Sequence, residues 1–104
     1  MTTDVRRLPA DIRRRQIMGA ALKLAERRGL HAISMAEVAA EAKCSRPLVI
    51  RYLGNSEQFK KELLAEAIRT NNLKVIAQGI LLKSRACLRL PQEKRAEALA
   101  AINA

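Results

Sequence analysis

Two cysteines, one histidine and an excess of cations are the features of this 104-residue chain that could carry chemistry. Cys44 and Cys87 lie far apart and match no metal-ligand spacing, so both read as small buried hydrophobes rather than ligands or redox partners. His31 is the sole histidine, and no motif arranges a cysteine or carboxylate around it for a triad or a metal site. It reads as a loop residue at the solvent edge. No glycine-rich phosphate loop occurs either. Hydrolytic and metal-dependent chemistry is thereby set aside: no cofactor or metal is expected, and the chain reads as a non-enzyme.

What remains is charge. Twenty Lys and Arg stand against ten Asp and Glu, a formal charge of +10, with a pI near 10.6. Each cation placed on a phosphate releases a condensed counterion, so the excess points to a polyanionic partner, with nucleic acid ahead of an anionic membrane surface. Residues 1–54 hold 11 basic and 5 acidic residues. Most of that excess is Arg6, Arg7, Arg13, Arg14 and Arg15, ahead of or at the start of the first apolar stripe.

The elements that must position these cations are helices. Alanine occurs 18 times and aromatic residues make up only 2% of the chain, a composition that favours helix and starves strands of the residues they prefer. The fold class is therefore expected to be all-α. A first helix is predicted over 9–28, with Pro9 in its first turn, Asp11 at the positive end of its dipole and Gly29 ending it. Its stripe is Ile17, Ala20, Ala21, Leu24 and Ala25. Ser34-Met35-Ala36-Glu37 is a capping box that opens a second, short helix. Ser45, with Pro47 behind it, caps a third helix of about eight residues that stops at Gly54-Asn55. Asn55 or Ser56 caps a fourth over about 57–70, striped by Phe59, Leu63 and Ala67. Thr70-Asn71-Asn72 is a polar break, after which Leu73, Ile76, Ala77, Ile80 and Leu81 restart a stripe that ends before Pro91. A last helix runs from Pro91 to about Asn103. Three segments follow from this: a basic arm at 1–8, a helical unit at 9–55 and a helical region at 56–104.

Two short helices joined by a tight turn have the shape of a helix-turn-helix, whose second helix enters the major groove of DNA. The residues carry the likeness further, and Arg15 to Phe59 resembles the DNA-binding domain of the TetR family. Ile17-Met18-Gly19-Ala20-Ala21 to Gly29 resembles its first helix, and Ser34 with Glu37-Val38-Ala39 and Ala42 its second. Ser45-Arg46-Pro47-Leu48-Val49-Ile50-Arg51-Tyr52-Leu53 resembles its recognition helix, and Asn55-Ser56-Glu57-Gln58-Phe59 the start of its fourth. The chain departs from the family pattern at Lys43, where a turn glycine is usual, at Ile50, where an aromatic is frequent, and at Ser56, where a lysine is frequent. Lys43 is expected either to hold a left-handed conformation or to make a different turn. Only about 35 residues follow the fourth helix, where a typical member carries a further ligand-binding and dimerising domain. They are expected to be too few to wall in a pocket of several hundred cubic ångströms, so no small-molecule inducer is expected.

The resemblance implies a residue-by-residue reading. Ser34 and Ser45 stand at helix N-termini, where they cap and can also meet a phosphate. Arg46, in the first turn of the recognition helix, reaches a guanine edge or clamps a phosphate. Pro47 and Leu48 offer apolar contact to a thymine methyl, with packing the alternative for Leu48. Arg51, Tyr52 and Arg14 are expected on phosphates, Tyr52 with part of its ring in the core. Arg6 and Arg7 follow the minor groove or backbone unless the arm is a solvated tail. Val49, Leu53, Phe59 and Leu63 are expected core.

Because one such unit reads only a few base pairs, two copies on a palindrome are expected. The stripes at 73–90 and 98–102 are expected to pair the copies, as dimerisation helices, rather than to complete the monomer. The expected protein is a small bacterial, plasmid or phage transcription regulator, a homodimeric repressor on double-stranded DNA. Its alternatives are a helical adaptor for an acidic protein and a sequence-indifferent nucleoid-coating protein. No apolar run reaches membrane-spanning length and the N-terminus lacks the apolar centre of a signal peptide, so a cytoplasmic, nucleoid-associated location is expected.

Overall fold

The computed structural model describes residues 9–103, and these residues form helices only. The order is α1 (Ala10–Arg28), α2 (Met35–Ala42), α3 (Arg46–Leu53), α4 (Ser56–Arg69), α5 (Leu73–Leu81), α6 (Arg85–Leu88) and α7 (Gln92–Asn103). The all-α expectation holds, and the boundaries of α1 to α4 fall within a residue or so of the positions that the caps indicate.

Each start has a local cause. Pro9 sits just outside α1 and its carbonyl accepts from Arg13 N at 3.0 Å. At α2 both halves of the capping box form: Ser34 Oγ accepts from Glu37 N at 3.2 Å, and Ser34 N donates to Glu37 Oε1 at 3.1 Å. Ser45 Oγ accepts from Leu48 N at 3.3 Å to open α3. Asn55, rather than Ser56, caps α4 through Gln58 N at 2.9 Å. Asn72 does the same for α5 through Val75 N at 3.2 Å. These side chains satisfy amides that have no partner inside the helix.

The turn between α2 and α3 depends on Lys43. Its φ of 56° and ψ of 47° are left-handed, and its N–H and that of Cys44 fold back onto Ala40 O and Ala39 O at 3.2 and 2.9 Å. A side chain in this region clashes with the following carbonyl at about 1–2 kcal/mol. Lys43→Gly relieves that clash but loosens the unfolded chain, so it should add about 0.5–1 kcal/mol of stability, read as a raised melting temperature. An unchanged or lower value would mean that the lysine stem makes a compensating contact.

The core runs through the chain without a seam. Ile17, Met18, Ala21, Leu24, Val38, Val49, Leu53, Phe59, Leu63, Val75, Ile76, Cys87 and Ala98 are buried members of one cluster. Two expectations are corrected here. The stripe from Leu73 does not continue to Pro91: it stops at Leu81, because Lys83 turns left-handed at φ 59°, and only the single turn of α6 follows. Nor is that stripe left uncovered, since α5 packs against α7, α4 and α1 and Ile76 is 1% exposed within the single chain. The physical reason is that α2 and α3 are too short to close α1 and α4 on their own. Gly79 allows the closest approach, for a Cβ there would collide with Cys87 Sγ and Leu64 Cδ2. Among the described residues the large apolar side chains left exposed beyond α4 are Leu81, Leu82, Leu88 and Ile102.

Candidate nucleic-acid interface

The eight residues of α3 divide cleanly. Val49 and Leu53 are buried, and Leu48 and Tyr52 are half-buried against the core. Arg46, Pro47, Ile50 and Arg51 are exposed, at positions i, i+1, i+4 and i+5 of one helix face. This buried stripe anchors a helix too short to persist alone. Its other face is offered to solvent with a cation at each end and an apolar centre.

Ser34 and Ser45 are exposed at the N-termini of α2 and α3. Their hydroxyl oxygens accept from Glu37 N and Leu48 N, which leaves each hydroxyl proton able to donate to a phosphate. Lys43, exposed between them, adds a further cation. Among the described residues Lys43, Arg46 and Arg51 enter no ion pair, whereas Arg14, Arg27 and Arg28 do. Arg27 meets Glu41 at 3.1 Å, and Arg28 meets the same Glu37 that closes the capping box, so α1 grips α2 at two points. Arg14 lies 2.7 Å from Glu62 on α4. Its guanidinium is therefore engaged within the chain, unlike those of α3. Arg6 and Arg7 lie outside the described residues.

Sequence reasoning missed Gln78. From α5 its Nε2 donates to Ala25 O at 2.8 Å and its Oε1 accepts from Leu30 N at 2.6 Å. One side-chain amide thus completes the C-terminus of α1 and the start of the loop to α2. A polar residue in the middle of an apolar stripe was the only signal. Glu62 was missed as well, and nothing in its spacing marks it as Arg14's partner.

Of the two cysteines expected to be buried, only Cys87 is fully so. Cys87 is fully buried, and burial pushes its thiol up from the ordinary value, partly offset by a hydrogen bond with Ser84. Cys44 is half-buried against the core, and His31 is exposed. Among the described residues no three His, Cys, Asp or Glu gather as a metal site would need. Leu30, Leu64, Leu82, Lys60, Arg85 and Arg89 line a cleft of about 650 Å³ that stays open to solvent on one side. It forms because residues 82–89 turn back along α4 instead of extending α5 away from it.

Residues 17–67 match the family model of the bacterial regulatory proteins of the tetR family. This segment is a TetR-family helix-turn-helix domain. The match runs from the middle of α1 almost to the end of α4, farther than the resemblance at Arg15 to Phe59. A TetR-type domain binds DNA, which supports a DNA-binding transcription regulator, and the members of that family are regulators rather than enzymes. Neither the curated proteins nor the solved structures compared with the chain gave a match. No helix among the described residues is long and apolar enough to cross a membrane.

Proposed function

We propose that the protein is a sequence-specific repressor that binds a palindromic operator as a homodimer and reads it through α3. The observation that carries this reading is the exposed face of α3, where Arg46 and Arg51 flank Pro47 with no carboxylate pairing them among the described residues. In this reading Arg46 takes a guanine edge, Pro47 and the exposed part of Leu48 touch thymine methyls, and Arg51, Tyr52, Ser34 and Ser45 hold phosphates. Arg14 positions α1 on α4 through Glu62 and reaches a phosphate from there. Arg6 and Arg7 extend the backbone contacts. Residues 1–8 act as an arm, 9–55 as the reading unit and 56–104 as its support and dimerisation region, in a cytoplasmic, nucleoid-associated protein. Selection of bound sequences from a random duplex library tests it: a palindromic consensus is expected, and enrichment without a consensus would leave sequence-indifferent coating instead.

The copies pair through Leu81, Leu82, Leu88 and Ile102, the large apolar residues still exposed on the C-terminal helices. Light scattering at micromolar concentration should return about twice the 11.6 kDa chain mass. Leu81 is 64% exposed, so Leu81→Asp should leave helicity unchanged while halving that mass. A monomeric wild-type protein that still protects both halves of a palindrome would overturn the pairing.

A further inference from the structure

Ile50 is the one large apolar side chain of α3 that the fold leaves out. It is 43% exposed, while its neighbours Val49 and Leu53 are 0% and 1% exposed. It lies one turn beyond Pro47, also exposed, so the two give the centre of the α3 face an apolar patch between Arg46 and Arg51. The other exposed large hydrophobics lie far along the chain, Ile12 on α1 and the rest beyond α4. Exposing a β-branched hydrophobe on a small reading face is unfavourable unless something apolar covers it, and DNA presents one apolar group in its major groove, the thymine C5 methyl.

The geometry points to Ile50 as a specificity-determining residue that reads a thymine methyl in each half-site. This rests on the operator-reading role proposed above and deepens it. Two features suit Ile50 to the task. A β-branched side chain in a helix is held almost entirely in one rotamer, so its methyls are already oriented before DNA arrives. The turn that carries it is also fixed at both ends, by the Ser45 cap and by Gly54 N donating to Ile50 O at 2.8 Å. Arg46 on a base edge and Arg51 on a phosphate meet polar groups, and neither can tell a thymine from a uracil. A contact made by Ile50 can.

The test replaces each thymine of the selected consensus by deoxyuridine, one position per half-site at a time, which removes only the methyl group. Removing one buried methyl should weaken wild-type binding about three- to fivefold at the thymine that Ile50 covers, a position distinct from any that Pro47 or Leu48 touches. The quantity compared is the thymine-to-uracil affinity ratio within each protein, so a general change in affinity cancels. Ile50→Ala should bring that ratio close to one at the same position. Ile50→Gln replaces the branched apolar side chain by a polar one in a residue that forms helix well, and should do the same. Circular dichroism confirms that the variants are folded. A consensus with no methyl-sensitive thymine, or a ratio that survives both substitutions, overturns this inference and leaves the operator reading standing. A selection without any consensus overturns both.

Discussion

Ile76→Ala lowers stability by about 2–5 kcal/mol, the usual range for truncating a fully buried aliphatic side chain. Against the roughly 5–15 kcal/mol that holds a small domain together, this is a large share. Ile76 belongs to α5, beyond residues 17–67 that match the family model. Yet it shares one buried cluster with Ile17, Val38, Val49 and Phe59, and the Gln78 amide two residues on binds the end of α1. The destabilisation therefore falls on the reading unit too. Tyr52 is the only tyrosine and the chain has no tryptophan, so tyrosine emission reports on α3 alone while far-ultraviolet dichroism reports on every helix. Both signals should move together to the lower temperature, and the shift should not depend on protein concentration. Tyr52 melting at its wild-type temperature while part of the dichroism disappears would show that α5 to α7 are a separate unit. A shift that vanishes at high concentration would place Ile76 in a seam between copies instead.

The parts of the molecule legible in its sequence are those decided within four residues. Ser34, Glu37, Ser45 and Asn55 all accept from amides three residues away, and Pro47 occupies a first-turn position that needs no donor, so their effect does not depend on the rest of the fold. The left-handed Lys43 was legible as one of two alternatives, since only the tertiary placement of α3 chooses between them. An apolar stripe is less informative. Ile76 and its neighbours announce a buried face, but nothing in their spacing says whether a copy or the same chain covers it. The stop at Leu81 was hidden for a related reason: Lys83 takes φ 59° without glycine or proline to mark it. Within α3 the adjacent Val49 and Ile50 are nearly the same residue chemically. Val49 is expected in the core together with Leu53, but nothing in the sequence assigns a role to the exposed Ile50.

Arg46→Ala separates base reading from attraction. Arg46 is exposed in the first turn of α3, and no carboxylate among the described residues competes for its guanidinium. A bidentate contact to a guanine is worth about 1–3 kcal/mol of discrimination, so the alanine variant should bind the consensus more weakly by about that much and random duplex nearly as before. Its preference should relax at one base pair per half-site. Arg6 and Arg7 should behave in the opposite way. Replacing both by alanine frees up to two phosphates per subunit and should weaken consensus and random duplex alike. The slope of log affinity against log salt should flatten by about 0.9 for each phosphate no longer neutralised. Fluorescence anisotropy on both duplexes at several salt concentrations measures all of these quantities in one series. If Arg46→Ala instead weakens every duplex equally and flattens the salt slope, Arg46 is a phosphate clamp. Reading the polar edges of the bases would then fall to Arg51, the other exposed cation of α3.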